Sequence, residues 1–182
     1  MDPRALRSRR ALHTAVLDVA ADVPIGQVSV AEICRRAGVT RDTFYRHAET
    51  PVALLAEALG EELSEILAEV GGLDSLTSAE ELLLTHVRDR RDLYRGALEP
   101  SLAAPLRANL ERAIAAGLED WLRRHPGIEP VAVADGAGHD IAVAYAAGGT
   151  VAAIEVWLRS GAEDVAQAAG AILAASPQWW LR

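Results

Sequence analysis

The sequence predicts an all-α fold of about nine helices, and three observations lead to this prediction. Apolar residues recur at intervals of three and four along most of the chain. Good N-cap residues precede several of these stretches, and clusters of glycine and proline separate them. The first helix, Arg4 to Asp22, illustrates the spacing, since its apolar stripe consists of Leu12, Val16, Val19 and, just beyond it, Val23.

The helices group into two predicted domains, a three-helix head in residues 1–50 and a helical body in residues 51–182. The predicted helices of the body cover residues 51–70, a stretch from the capping box at Ser78 to Arg91, and residues 106–124, 139–160 and 162–175. Residues 92–98 either continue the helix before them or form a helix of their own. Residues 125–138 hold two Pro and three Gly, which predicts a loop.

Residues 28–47 contain two short predicted helices joined by a tight turn. Ser29 caps the first helix, and Glu32 stands three residues later at the position of a capping-box partner. Gly38 ends this helix in the left-handed conformation, which only glycine adopts at little cost. Thr40 then caps the second helix. Two helices separated by a three-residue turn with a glycine have the spacing of a DNA-binding helix-turn-helix.

The second helix of this motif, Thr40 to His47, has an apolar and a polar side. Val39 and Phe44 are its apolar residues, and Phe44 is the only Phe of the chain. The polar side carries hydroxyl groups, an imidazole and cations, from Thr40, Arg41, Thr43, Tyr45, Arg46 and His47. A helix in the major groove uses hydroxyl and guanidinium groups to contact phosphates and base edges. The alternative is a short polar surface helix of an all-α protein.

The run SVAEICRRAGVTRDTFYRH resembles the N-terminal domain of the TetR family of bacterial transcriptional regulators, and RSRRALHTAVLDVAAD resembles its first helix. The resemblance covers residues 4 to about 70. It implies an all-α homodimer with a head that binds double-stranded operator DNA and a body that binds a small-molecule effector. The phosphate-contacting positions that it implies are Ser29, Thr40, Thr43, Tyr45 and His47. Arg41 and Asp42 fall on base-facing positions.

The chain also departs from the family pattern at two positions. The family often has an aromatic residue after the His and a Lys a few residues later, where this chain has Ala48 and Pro51. Loss of that Lys removes one phosphate contact. The expected function is a ligand-responsive regulator, a repressor by family habit, that binds a palindromic operator as a homodimer. The alternative is a TetR-like ligand-binding or interaction protein that has lost specific DNA binding.

An enzyme is disfavoured, because the chain has none of the common catalytic or metal-binding motifs. GxSxG, HExxH, P-loop and paired Cys/His ligand spacings are missing from the sequence. We therefore expect no catalytic residues, no metal site and no cofactor.

The net charge of −8 is unevenly distributed along the chain. Residues 1–50 carry eight Arg and six acidic residues, which gives a net charge of +2, whereas residues 51–182 carry a net charge of −10. Screening at physiological salt acts over about 8 Å, so acidic groups on a separate body repel DNA only weakly. The charge is compatible with a head that binds DNA.

The sequence predicts a cytoplasmic protein with no membrane partner. Its single cysteine, Cys34, excludes an internal disulfide and is interpreted as a buried, inert thiol. The N-terminus lacks the apolar core of a signal peptide, because His13 and Asp18 interrupt it. The longest apolar run, Ile141 to Ile154, is shorter than the about 20 residues that span a bilayer.

The predicted helix 139–160 has small residues at steps of four, three and four, namely Ala142, Ala146, Gly149 and Ala153. Each of its two internal glycines costs about 1 kcal/mol relative to Ala, and close helix–helix approach would compensate. The segment AGGTVAAIEVWLRSG also resembles the dimerisation helices of many TetR-type regulators. We therefore expect helices 139–160 and 162–175 of two chains to form a four-helix homodimer interface. Packing within one chain is the alternative.

An effector pocket of an all-α body is expected between its helices, with a mostly apolar lining and a few polar groups. The candidate ligand-binding residues are aromatic rings with a polar atom on otherwise apolar faces, namely His86, Tyr94, Trp121, His139 and Tyr145. For each of them taken singly, a core ring with one hydrogen bond is the alternative, and the sequence favours it. The sequence does not identify the effector.

Overall fold

The computed structural model of the protein describes residues 3–69, 75–130, 134 and 136–181. These residues form nine α-helices and no β-strand, which confirms the predicted all-α fold. The helices are α1 (Pro3–Asp22), α2 (Val30–Ala37), α3 (Arg41–Tyr45), α4 (Pro51–Glu69), α5 (Leu76–Asp89), α6 (Arg91–Ala97), α7 (Ala103–Arg124), α8 (Gly136–Ser160) and α9 (Val165–Ala175). Two short 3-10 turns cover Ile25–Gln27 and Gln178–Leu181.

Helix α5 begins earlier than the sequence predicts, because a different serine caps it. The hydroxyl of Ser75 accepts a hydrogen bond from the backbone N–H of Ser78 at 3.2 Å, so Ser75 is the N-cap and the predicted capping box at Ser78 is wrong. The helix ends before Arg90, which has a non-helical backbone with φ −111° and ψ 22°. Residues 91–97 therefore form a helix of their own, α6. Of the two alternatives for residues 92–98, a separate helix is the correct one.

Helix α8 begins at Gly136, inside the segment that was predicted as a loop, and Gly136 has a positive φ of 46°. Helix α3 ends at Tyr45, two residues before the predicted end at His47. The predicted end of the 51–70 helix at Val70 lies outside the described residues.

Helix α8 is the one described helix that is long and apolar enough to cross a membrane. Its most apolar window has a mean hydropathy of 1.6, and 44% of that window is buried inside the protein. Core helices of soluble proteins meet the same two criteria, so this property is weak support for a membrane-spanning role.

The chain divides into two compact units. Unit 1 comprises residues 1–61 and 91–109, and unit 2 comprises residues 62–90 and 110–182. Helices α4 and α7 contribute residues to both units. The assignment of separate functions to residues 1–50 and 51–182 stays a prediction.

The core of unit 1 is built from residues of α1 to α4 and α6. Its fully buried side chains include Leu12, Ile33, Phe44, Leu54 and Tyr94. At the surface of the same unit, Glu61 of α4 accepts from two residues of α1. Its carboxylate lies 2.7 Å from Arg9 Nη2 and 2.7 Å from His13 Nδ1. These ion pairs connect α4 to α1.

Phe44 is the single buried residue of α3, so we expect Phe44→Ala to destabilise the protein strongly. The ring is 0% exposed, and truncating a buried Phe typically costs about 3–5 kcal/mol. Urea unfolding followed by circular dichroism measures the loss. The control is Tyr45→Ala on the next residue, which is 59% exposed and should cost at most about 1 kcal/mol. Equal losses in the two variants would show that Phe44 does not anchor α3.

Unit 2 contains a second core, formed by Trp121, Leu122, Val143 and Trp180. Ala142 and Ala146 pack against this core from α8. Part of the predicted stripe of small residues on α8 therefore packs within the same chain. Only Gly149 of its four members is exposed. The exposed face of α8 carries larger residues, namely Ile141, Tyr145 and Val156.

Candidate functional site

The helix-turn-helix is formed by α2, a short turn and α3, and side-chain caps fix both helix starts. Ser29 Oγ accepts from the N–H of Glu32 at 3.2 Å, and Thr40 Oγ1 accepts from the N–H of Thr43 at 3.2 Å. Gly38 ends α2 with a left-handed φ of 66°, as the sequence predicts. Any other residue would be strained at that position.

The polar side of α3 faces solvent, while Phe44 is buried on the opposite side. The seven residues that the resemblance assigns to DNA contacts, and Arg46 on the same polar side, which we also expect to contact DNA, all lie on this motif. Those exposed are Ser29, Thr40, Arg41, Asp42, Tyr45 and Arg46, and those half-buried are Thr43 and His47. None of the eight is buried in the core. A DNA-contacting role for each of them stays a prediction.

Side-chain hydrogen bonds organise the end of α3. Thr40 Oγ1 and Thr43 Oγ1 are 3.0 Å apart, and Arg46 Nη2 donates to Thr43 Oγ1 at 3.0 Å. Arg46 Nε also donates to the backbone oxygen of Asp42 at 3.3 Å. The guanidinium of Arg46 is therefore held along the helix. The Tyr45 ring packs edge-on against Phe44, with ring centroids 5.4 Å apart, and Tyr45 is 59% exposed.

Two positions next to this face depart from the TetR pattern, and each has a structural role here. Ala48 is buried, and its N–H donates to the backbone oxygen of Phe44 at 2.9 Å. Pro51 is the first residue of α4, and Thr50 Oγ1 before it accepts from the N–H of Ala53 at 3.1 Å. Ala48 therefore serves packing, and Pro51 serves the start of α4.

Cys34 lies on the buried side of α2. Burial raises the pKa of its thiol, which favours the protonated, unreactive form. This agrees with the predicted inert thiol.

Unit 2 contains a cavity. The space within it that the centres of water molecules can occupy has a volume of about 80 Å³. A single water needs roughly 10–15 Å³ on this measure, so the cavity has room for several water-sized groups. Apolar side chains from five helices form most of its lining, among them Leu67, Leu76, Leu83, Ile114, Leu118, Ala146, Ile172 and Leu173, with Trp180 from the C-terminal turn.

Only one of the five predicted ligand-binding residues, Trp121, lines this cavity. Tyr94 is fully buried in unit 1, whereas Tyr145 is 69% exposed on α8. His86 is buried, and desolvation lowers its pKa to about 4. His139 Nδ1 lies 2.8 Å from Glu129 Oε1. The structure therefore does not bring the five together, and a ligand-binding role for any of them stays a prediction.

The sequence interpretation missed Glu80, which also lines the cavity. Its Oε1 is shielded from solvent and has no hydrogen-bond partner among the described residues. Desolvation raises the pKa of this carboxyl to about 7. The sequence signal was available, because Glu80 follows Leu76 by four residues and precedes Leu83 by three, which places it on the apolar side of α5.

Two further polar groups in the cavity lining define its electrostatics. Trp121 Nε1 is buried without a hydrogen-bond partner in the part of the chain that the structure describes. Arg124 is the other charged residue of the described lining, and its Nε and Nη2 donate to Asp120 Oδ2 at 2.9 and 2.8 Å. The cation of Arg124 is thus already paired, and Glu80 is the acidic group of the cavity.

We expect Glu80→Gln to stabilise the protein mainly above neutral pH. The unfolded carboxyl titrates near 4.5 and the folded one near 7, so the stability of the native protein falls as pH rises between these values. Gln remains neutral and avoids this loss, which amounts to about 3 kcal/mol at about pH 8 and less than about 1 kcal/mol at about pH 5. Urea unfolding of both proteins at the two pH values measures the difference. A gain that does not depend on pH would contradict the assignment.

The fold and the α2–turn–α3 geometry together define the class of the protein as a helix-turn-helix protein with an additional helical unit. Residues 14–58 match the sequence model of the bacterial regulatory proteins of the tetR family. Over these residues the chain is of the tetR-family type, which supports a transcriptional regulator. The match confirms the resemblance seen in the sequence.

Among solved structures, one similar chain is the "Clostridium perfringens putative fatty acid metabolism regulator". The similarity covers 89% of this chain and 94% of that chain, with 16% sequence identity and a TM-score of 0.47. No curated protein matches the chain significantly.

Proposed function

We propose that the protein is a ligand-responsive transcriptional repressor that binds a palindromic operator as a homodimer in the cytoplasm. The observation that carries the proposal is the solvent-facing polar side of α3, which Phe44 anchors from the opposite side. In this arrangement hydroxyl and guanidinium groups are presented outward on a short helix, as major-groove contacts require. Residues 1–50 would form the DNA-binding domain and residues 51–182 the effector-binding and dimerisation domain.

The DNA contacts divide into two kinds in this proposal. Arg41 and Asp42 lie at the start of α3, and neither side chain makes a hydrogen bond with another described residue, so both are available to base edges. Thr43, Tyr45 and Arg46 lie beside them and would bind phosphates, together with Ser29, Thr40 and His47. Two copies of the motif would occupy half-sites about one helical turn apart.

The homodimer is proposed to form through α8 and α9. Residues of α8 at steps of four, four, three and four are exposed, namely Ile141, Tyr145, Gly149, Ala152 and Val156. Three of them are large and are 60–69% exposed, which is unusual for a continuous apolar face of a monomer. A Cβ added at Gly148 or Gly149 would meet nothing within 4 Å. The space beside these glycines is therefore open to a second chain.

Helix α4 is the proposed route from effector to DNA. Leu67, near its end, lines the cavity of unit 2, whereas its residues up to Glu61 belong to unit 1. Glu61 is bound to α1 through Arg9 and His13. A ligand that displaces the Leu67 end would change the spacing of the two heads in the dimer. Coupling of this kind is typically worth 1–3 kcal/mol, or roughly 5–150-fold in operator affinity.

Selection of bound sequences from random DNA tests the proposal. The expected result is a palindromic consensus whose half-sites are about one helical turn apart, bound with an affinity that falls steeply with salt. The alternative function is a ligand-binding or interaction protein that has lost specific DNA binding, and Ala48 and Pro51 are the residues that favour it. Failure to enrich any sequence at low salt would support this alternative.

A further inference from the structure

We propose that the cavity of unit 2 binds a small apolar molecule that carries one protonated nitrogen, with that nitrogen placed against the carboxylate of Glu80. The inference names the ligand class of the proposed regulator, and only the ligand's role as an effector rests on the proposed function. It concerns a residue that sequence reasoning did not select.

The described lining of the cavity is apolar except for a few polar side chains, and Glu80 is the one acidic group in it. Leucine, isoleucine, alanine and tryptophan side chains form most of the cavity surface, which suits an apolar ligand body. Glu80 Oε1 is shielded from solvent in this surrounding and has no hydrogen-bond partner among the described residues. An unpaired acceptor of this kind is costly, and a ligand N–H that donates to it would remove the cost.

The charges of the described lining favour a cationic ligand. Arg124 is the other charged residue of the described lining, and Asp120 already neutralises it. An anionic ligand would therefore meet Glu80 without a free cation to bind it. A neutral ligand would leave the carboxylate without a counter-charge, whereas an ammonium group would supply both the charge and the hydrogen bond.

This arrangement predicts that ligand binding releases protons. Because burial raises the pKa of Glu80 to about 7, the carboxyl is about half protonated at neutral pH. Contact with an ammonium group favours the ionised carboxylate, so Glu80 gives its proton to the solvent as the ligand binds. Binding near pH 7 should thus release about half a proton per site. A neutral ligand should release none.

The experiment is titration calorimetry of the full-length protein, without DNA, using probes matched in size. The ammonium probes are benzylammonium, 2-phenylethylammonium and 3-phenylpropylammonium, and the uncharged and anionic probes are 2-phenylethanol and 3-phenylpropionate. We expect the best ammonium probe to bind at least about tenfold more tightly than 2-phenylethanol, since a hydrogen bond between two charged groups is stronger than one from a neutral hydroxyl. Titrations in two buffers of different ionisation enthalpy measure the proton release.

Two variants separate the role of Glu80 from a general effect of acidic residues. Glu80→Gln keeps the shape of the side chain and should abolish both the preference for ammonium and the proton release. Glu81→Gln, on the exposed neighbour, should retain both. Since Glu80→Gln is expected to be at least as stable as the wild type, loss of folding does not obscure the comparison.

Three results would overturn the inference: equal affinity for ammonium and alcohol probes, tighter binding of 3-phenylpropionate, or no binding of any ammonium probe at millimolar concentration. These outcomes are independent of DNA binding. A palindromic consensus together with no ammonium preference would leave the regulator proposal standing and reject the ligand class. An ammonium preference without any DNA consensus would support the ligand class and reject the regulator.

Discussion

Arg41→Ala and Tyr45→Ala should each weaken operator binding by at least about tenfold while the protein remains folded and dimeric. Loss of a base-contacting Arg typically costs about 1–3 kcal/mol, and a homodimer loses the contact twice. Loss of the Tyr45 hydroxyl would remove one proposed phosphate contact per subunit. Gel-shift titrations on the selected consensus, at fixed salt, measure the affinities of both variants.

The two variants should also differ from each other in a way that identifies their roles. Arg41→Ala should relax the sequence preference at one position of each half-site, whereas Tyr45→Ala should weaken binding to all sequences about equally. The matched control is Arg123→Ala, an exposed arginine of α7 in unit 2, which should bind the operator like the wild type. Unchanged affinity in both α3 variants would contradict the assignment of α3 to DNA.

Ala152→Arg should dissociate the proposed dimer and, with it, abolish tight operator binding. Ala152 lies in the middle of the exposed apolar face of α8, between Gly149 and Val156. An arginine placed there in each chain would bury charge without a partner, which typically costs several kcal/mol. Sedimentation velocity at micromolar concentration should show a monomer, and a monomer holds only one half-site.

The control for this variant is Ala116→Arg, the same change at an exposed alanine of α7. It should leave both the sedimentation coefficient and the operator affinity unchanged. If Ala152→Arg also remains a dimer, the face of α8 is not the interface. If the wild type sediments as a monomer at the same concentration, the homodimer proposal is wrong.

The helix-turn-helix was predictable because its determinants are local. Ser29 and Thr40 accept hydrogen bonds from residues three positions later, and Gly38 adopts a backbone conformation that its own lack of a Cβ allows. Each of these features depends on a few neighbouring residues, so it can be recognised directly in the sequence. The burial of Phe44 followed from the same short-range periodicity.

The start of α5 was not predictable in the same way, because two serines compete to cap it. Ser75 and Ser78 are both good N-caps, and choosing between them depends on how the following residues pack. The face of α8 posed a similar difficulty. A helix with alanines and glycines on several sides has little amphipathic contrast, so the spacing of Ala142, Ala146 and Gly149 did not show which of them would meet the core.

The candidate ligand residues show the limit of arguing from residue type alone. Tyr94 and Tyr145 were selected by the same reasoning, yet one is fully buried and the other is 69% exposed. Glu80 was missed because charged residues are normally assigned to the surface. Its place on the apolar side of α5 became meaningful only once helices from distant parts of the sequence enclosed it.

A single buried ring, that of Phe44, anchors α3 in the core. This affects how the DNA target proposed for such a protein can change. Since Phe44 is the one buried residue of this helix, exchanging the exposed side chains at positions 41 and 42 disturbs almost no packing. If α3 reads DNA as proposed, recognition of new DNA sequences can therefore be acquired by substitution there without a matching loss of folding. The same property makes α3 a suitable place to randomise when operators for synthetic gene circuits are designed.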